Sequence, residues 1–141
     1  MKNKLFDLGL LWLRVALGVG AMYHGWTKVV GEGGVIGWAD RSVAAMNFPV
    51  PVLFGFLAVG AELIGGFFIL LGLWTRYAAL AGAIVWLVAF FVRHELEPFK
   101  SKELAAAYAV VAIAIIILGP GKFAVDGGKG GGKSAPAKKG K

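Results

Sequence analysis

Four apolar runs separated by short polar segments dominate the pattern of the chain. They cover residues 8–26, 52–74, 77–92 and 104–118. A helix that crosses a bilayer needs roughly 17–25 mostly apolar residues, and in lipid a helix satisfies its own backbone hydrogen bonds. The pattern therefore predicts an all-α protein, a four-helix transmembrane bundle whose third and fourth spans are short.

Helix-breaking residues mark the ends of these runs. Pro49 and Pro51 precede the second run, and a Gly-Pro-Gly sequence at residues 119–121 ends the fourth. Both residue types interrupt helices. Thr75 and Arg76 lie between the second and third runs, which predicts a tight turn and an antiparallel helical hairpin.

The connection of residues 29–50 is long for a four-helix bundle and rich in glycine at its start. Its second part, residues 38–48, predicts a short interfacial helix that lies over the outer mouth of the bundle. In this prediction Trp38, Met46 and Phe48 face the membrane.

The composition is that of a membrane protein. Of the 141 residues, 58% are hydrophobic and 16% are charged, whereas soluble domains contain about 45–50% apolar and 25% charged residues. Much of the net charge of +7 lies in a Gly/Lys-rich tail, residues 127–141. We expect this tail to be disordered and to face a membrane surface rather than nucleic acid, and residues 1–126 to form one domain.

Charge and cysteine content add two constraints. Lys2, Lys4, Arg76 and the tail lysines lie on the side of the bundle that carries both termini. The positive-inside rule therefore predicts that both termini are cytoplasmic. The sequence contains no cysteine, which excludes disulfides and thiolate metal sites, and we predict no metal site.

Two ionisable residues interrupt the apolar runs, Arg14 in the first and Glu62 in the second. A charge at the centre of a membrane helix costs about 2.5–3.5 kcal/mol on insertion scales, so each needs a partner or a function. At 1.5 Å per residue, Arg14 lies about 9 Å from one end of its span and Glu62 about 15 Å from the opposite side. These depths predict a buried Arg14–Glu62 ion pair, which is either structural or part of a functional site.

Further polar and aromatic residues gather at the outer ends of the first and third runs. The members of this group are His24, Lys28, Tyr23, Trp26, Arg93 and His94. His24 and Lys28 are four residues apart and share one helix face. The group predicts a binding site in the outer half of the bundle. Alternatively, Lys28 and Arg93 extend to the interface and the tryptophans form an aromatic belt.

Three segments resemble the DoxX family of small four-helix membrane proteins. They are YHGWTK at residues 23–28, ELIGG leading to LGLWTR at residues 62–76, and LGPGKF with Asp126 at residues 118–126. The resemblance covers about residues 5–126. It implies a multi-pass protein of a bacterial-type plasma membrane. Family members resemble a subunit of thiosulfate:quinone oxidoreductase, so it also implies a quinone-linked oxidoreductase subunit acting in membrane redox homeostasis.

A quinone site needs an apolar slot for the ring, donors for the carbonyl oxygens and a group that passes protons. Glu62 and His24 are the predicted catalytic residues. The predicted substrate contacts are Lys28, Tyr23, Trp26, Arg93 and His94, with Trp26 or Trp38 against the ring. Electrons would come from a soluble or membrane redox partner, because the chain lacks cysteines for an iron–sulfur cluster.

Three alternatives accompany this interpretation. His24 and His94 would supply two axial imidazoles for a haem. The protein would instead be a non-catalytic membrane anchor or scaffold for a soluble redox enzyme, which Arg76 and the basic tail would contact. A transporter is disfavoured, because the spans show neither inverted repeats nor paired broken helices. The sequence predicts no particular oligomeric state.

Overall fold

The computed structural model describes residues 2–94 and 96–128, and within them it is all-helical. The helices are α1 (Lys2–Val30), α2 (Gly34–Trp38), α3 (Pro51–Leu71), α4 (Thr75–Val88) and α5 (Phe99–Leu118). Four segments are long and apolar enough to cross a membrane: Lys4–Val30, Pro51–Leu71, Thr75–Arg93 and Phe99–Leu118. The predicted four-helix architecture is confirmed. From residue 129 onward, the predicted disordered tail lies outside the described residues.

Short irregular turns extend two of the helices. The α2 helix continues through a π-helical turn, Ala39–Val43, and a 3₁₀ turn, Ala44–Met46. The α4 helix continues through a second π-helical turn, Ala89–Arg93. Single π turns inside helices are frequent at functional sites. The interfacial helix predicted over residues 38–48 therefore begins earlier, at Gly34, and ends at Met46.

Close backbone contact joins α1 to α3. The most extensive contacts of the bundle are α1 with α3 and α4 with α5, whereas α1 and α5 touch less extensively. A Cβ added at Gly18 would lie 2.7 Å from the carbonyl oxygen of Gly66. Small residues permit such an approach between membrane helices. The contact between Gly18 and Gly66 therefore sets the register of α1 against α3.

The interior of the bundle is small and apolar. Its buried residues include Leu17, Ala21, Ile69, Ala79, Ala83, Trp86, Ala109, Ala112 and Ile115. Large apolar side chains such as Trp12, Phe56 and Ile117 are exposed on the outside. Because lipid tails are as apolar as these side chains, nothing drives them into the interior, and small residues fill the helix contacts instead.

Arg14 is buried, but it does not contact Glu62. Its Nε donates to the Ile69 carbonyl oxygen at 3.0 Å, Nη2 to Leu70 at 2.9 Å and Nη1 to Pro120 at 3.0 Å. Carbonyl groups in the last turn of a helix lack intrahelical partners and attract cations. The guanidinium thus fastens the end of α3 to the segment after α5.

The predicted Arg14–Glu62 ion pair is therefore wrong, and the helix register explains why. The contact between Gly18 and Gly66 runs between antiparallel helices, so four residues earlier on α1 corresponds to four residues later on α3. This register brings Arg14 level with Leu70. Glu62 lies eight residues before Leu70 on α3, about 12 Å away at 1.5 Å per residue.

The connection after α5 returns to the α3–α4 turn. The carboxylate of Asp126 accepts the backbone N–H of Trp74, and the Asp126 N–H donates to the Gly72 carbonyl oxygen at 3.0 Å. Gly72 and Trp74 have φ of 75° and 44°, so the turn itself spans residues 72–74. Thr75 then begins α4. The predicted hairpin is present, but its turn lies earlier than the expected Thr75-Arg76.

Candidate functional site

A cavity of about 500 Å³ opens at the end of the bundle away from Arg14. All four spans and the α2–Met46 segment line it. Its ionisable residues are His24, Lys28, Glu62, Arg93, His94 and Tyr108. Its other aromatic residues are Trp38, Phe48, Phe54 and Trp86. Most of the remaining wall is aliphatic, so a few charged groups are concentrated in an otherwise apolar space.

The centre of the site is an ion pair between Lys28 Nζ and Glu62 Oε2. The Glu62 side chain is 3% exposed and that of Lys28 is 16% exposed. Gly25, one turn before Lys28, lets α1 approach α3, since an added Cβ there would lie 2.7 Å from Leu63 Cγ. The missing side chain thus brings the lysine within reach of the acid.

Lys28 also contacts the α2 segment. Its Nζ lies 4.8 Å from the centroid of the Trp38 ring. A lysine over an indole face within about 6 Å is a favourable cation–π arrangement, and it gains strength where water is excluded. The ammonium is therefore held from two sides, by the Glu62 carboxylate and by the Trp38 ring.

Three rings form a row across the cavity. The Tyr108 ring lies 5.6 Å from that of His24 and 5.3 Å from that of Trp86, both edge to face. Trp86 on α4 and Tyr108 on α5 were not among the predicted site residues. The sequence pattern could have indicated both as site residues, because each is a large aromatic residue on a helix stripe of Gly and Ala. Large residues on such a stripe leave space beside them.

One acidic and two basic residues meet at the α4–α5 connection. His94 Nδ1 lies 2.9 Å from Glu97 Oε1, and Arg93 Nη1 lies 3.9 Å from the same oxygen. The close polar contact with His94 is the main reason why the pKa of Glu97 lies below its ordinary value. Arg93 and His94 line the cavity, so this cluster adjoins its mouth.

The structure brings together most of the predicted site. Its five members in the cavity are His24, Lys28, Glu62, Arg93 and His94. Tyr23 and Trp26 do not line the cavity, because their side chains are 65% and 56% exposed on the outside of α1. Successive residues of a helix are rotated by about a quarter turn or more, so neighbours of His24 point elsewhere.

The α2 segment is oriented differently from the prediction. Trp38, Met46 and Phe48 line the cavity and do not face away from the bundle. The Phe48 ring packs on Phe54 of α3, with centroids 5.0 Å apart. Aromatic residues suit both a lipid interface and a pocket wall, so their presence alone could not distinguish the two arrangements.

The haem alternative requires His24 and His94 to reach one shared space. His24 on α1 and His94 at the end of α4 both line the cavity. Among the residues that the structure describes, no group of three or more His, Cys, Asp or Glu side chains is arranged to hold a metal ion. The haem alternative stays a prediction.

Four membrane-spanning helices that enclose a charged, aromatic-walled cavity define a small multi-pass membrane protein with a ligand-sized interior site. The DoxX family model matches residues 9–95, and the chain belongs to the DoxX family. It is 28% identical over 125 residues to a Bacillus subtilis (strain 168) protein named "Putative oxidoreductase CatD", covering 88% of this chain and 89% of that protein. The solved structures contain no significant match.

Proposed function

We propose that the cavity binds the ring of a quinone or quinol and that the protein acts as the membrane subunit of a quinone-linked oxidoreductase. The observation that carries this proposal is the buried Lys28–Glu62 ion pair in an apolar, aromatic-walled cavity. The name of the Bacillus subtilis relative, an oxidoreductase, supports the class of reaction.

The size and lining of the cavity fit a quinone ring. Its volume of about 500 Å³ lies within the roughly 300–1,000 Å³ of small-molecule sites, which combine apolar walls with a few placed polar groups. An ammonium group has three N–H donors. One of those of Lys28 serves Glu62, so another would donate to a carbonyl oxygen of the ring, while Trp38 or Trp86 would pack on its face.

The ionisable residues would serve proton transfer. Reduction of a quinone to a quinol consumes two electrons and two protons. Glu62 and His24 would hold and pass the protons, because a carboxylate and an imidazole are the usual groups for this task. The electrons would come from a partner protein with its own redox centre. Arg93 and His94 would contact substrate or water at the cavity mouth.

Quinone binding can be tested by tryptophan fluorescence. Each of two proteins would retain one of the five tryptophans, Trp38 in the cavity or Trp12 on the outside of α1, with the others replaced by phenylalanine. A short-chain benzoquinone titrated into the detergent-solubilised protein should quench Trp38 saturably and Trp12 only in proportion to its concentration. Equal, unsaturated quenching of both tryptophans would contradict the proposal.

A pair of adjacent substitutions gives the control for the site. His24→Phe should lower the affinity for the quinone, measured from the saturable quenching of Trp38, by at least about tenfold. This factor corresponds to the loss of one good polar contact. Tyr23→Phe, at the exposed neighbouring position, should leave the affinity within about twofold. If no quinone binds but a soluble redox protein co-purifies, the anchor alternative is favoured.

A further inference from the structure

The helices of the α3–α4 hairpin are close near their turn and separate towards the cavity. Near the turn, a Cβ added at Gly65 would be in ordinary contact with the Ala78 carbonyl oxygen, at 3.6 Å. Nearer the other end, both helices line the cavity with facing rows of residues. On α3 the row is Phe54, Ala58 and Glu62, and on α4 it is Ile84, Val85, Trp86 and Val88. Glu62 ends the α3 row beside Lys28, and the part of the α3 row nearer Pro51 is apolar.

One member of these rows reaches the outside of the bundle. Ile84 lines the cavity and is also 56% exposed, so the space continues between α3 and α4 to the outer surface. Ala58 lies seven residues after Pro51, the start of α3, which corresponds to about 10 Å of helix. The opening therefore lies within the membrane-spanning segments, at the depth of the acyl chains.

We propose that this opening, the α3–α4 slot, holds the hydrocarbon tail of a membrane-dissolved quinone whose ring lies against Lys28 and Glu62. The inference rests on the proposed function and specifies its substrate as a tailed, lipid-phase quinone. Lys28 of α1 and Glu62 of α3 form one charged centre in the cavity, and the apolar part of the rows leads away from it along α3 and α4. This division matches an amphiphile with a polar ring and an apolar chain.

A second route to the outside lies at α5, where Leu104 lines the cavity and is exposed. His24, Ser101 and Tyr108 also line that side. A hydrocarbon chain there would cover polar groups without satisfying them, which costs free energy. The apolar α3–α4 slot is the better position for the tail.

The test compares two quinones with the same ring, one without a tail and one with a ten-carbon chain. Their binding is measured by quenching of Trp38 in the single-tryptophan protein in lipid nanodiscs. In Ala58→Phe the new ring fills the slot. Because lipid is as apolar as the slot, the tail gains little free energy by entering it. The ring introduced by Ala58→Phe therefore acts by sterically excluding the tail. We expect the tailed quinone to bind at least about tenfold more weakly and the tail-less quinone to bind within about twofold.

Two further variants serve as controls. Ala105→Phe adds the same bulk to the cavity wall on α5 and should weaken both quinones alike. Ala81→Phe adds it at an exposed position of α4 outside the cavity and should change neither. Ala58→Leu narrows the slot with less bulk, so the selective loss should appear in weaker form even if Ala58→Phe does not fold.

The outcomes separate the two proposals. Equal weakening of both quinones by the Ala58 variants, no weakening at all, or a tail-selective loss in Ala105→Phe would overturn the slot while leaving the ring site intact. Saturable binding of neither quinone to the protein with an unaltered Ala58 would overturn the proposed function, and the slot with it.

Discussion

Removal of Lys28 should destabilise the protein far more than removal of the charge on Glu62. The Glu62 side chain is 3% exposed and has Lys28 as its ion-pair partner. Lys28 is 16% exposed and also lies over the Trp38 ring. Lys28→Met therefore leaves a buried carboxylate alone, whereas Glu62→Gln leaves an ammonium that keeps an aromatic contact and some access to water.

The magnitudes follow from this asymmetry. Breaking a buried pair by removing one partner costs about 3–5 kcal/mol, because the other charge stays buried without compensation. We expect a loss of that size for Lys28→Met. For Glu62→Gln the amide can still accept a hydrogen bond from Lys28, so we expect about 1–2 kcal/mol. The double variant should lose less than the sum of the two, by about 1–3 kcal/mol, because the buried charge has gone.

The free energy of unfolding can be measured by titrating the detergent-solubilised protein with SDS and following its helical circular dichroism. Lys100→Met is the matched control, since Lys100 is exposed in the first turn of α5. It should change stability by no more than about 0.5 kcal/mol. A Lys28→Met protein as stable as Lys100→Met, or strictly additive losses in the double variant, would refute the inferred pair.

Three further results are expected. Arg14→Lys should lower the free energy of unfolding by about 2–4 kcal/mol in the same SDS titration. The donors of an ammonium all lie on one nitrogen, which cannot reach the three carbonyl groups that the guanidinium contacts through three separate nitrogens. An unchanged midpoint would contradict this role. Gly18→Ala should lower the free energy of unfolding by about 1–3 kcal/mol, since its Cβ would lie 2.7 Å from the Gly66 carbonyl oxygen. Gly9→Ala is the control, because its Cβ would meet no atom within 4 Å, and it should be tolerated. The pKa of Glu97 is lowered chiefly by its polar contact with His94. The stabilising contribution of Glu97 is therefore complete above the unfolded-state pKa and disappears as the pH falls through the folded-state pKa. His94→Ala should raise the pKa of Glu97 in a carbon-13 NMR titration, and an unchanged pKa would exclude the contact.

Span number and fold class were predictable because they depend on local properties. A run of apolar residues such as 52–74 is long enough to cross a bilayer regardless of its neighbours, and a helix is the structure that a single lipid-embedded segment can adopt. The need for a partner to Glu62 was equally predictable, because an unpaired charge near the middle of a membrane span is costly. These inferences require no knowledge of how one helix packs on another.

The partner of Glu62 was not predictable in the same way. Depth measured from assumed helix ends favoured Arg14, but α1 extends from Lys2 to Val30 and its packing determines which residues are level. The glycine contacts at Gly18 and Gly25 set that register. They also bring Lys28 within reach of Glu62. Likewise, the rotation of α2 that turns Trp38 inward depends on tertiary contacts.

The two ends of the bundle use buried charge in different ways, and the difference explains the cavity. At one end Arg14 and Asp126 satisfy backbone groups of neighbouring segments, so the helices are held together where the α3–α4 turn is tight. At the other end Lys28 and Glu62 satisfy each other between α1 and α3, beside the cavity that α3 and α4 leave open where they separate. Because the helices are held together at the first end, they can stay apart at the opposite end without dissociating from the bundle. Residues of the family-like segments lie at both ends, so a sequence match by itself does not distinguish the fastening residues from those of the site.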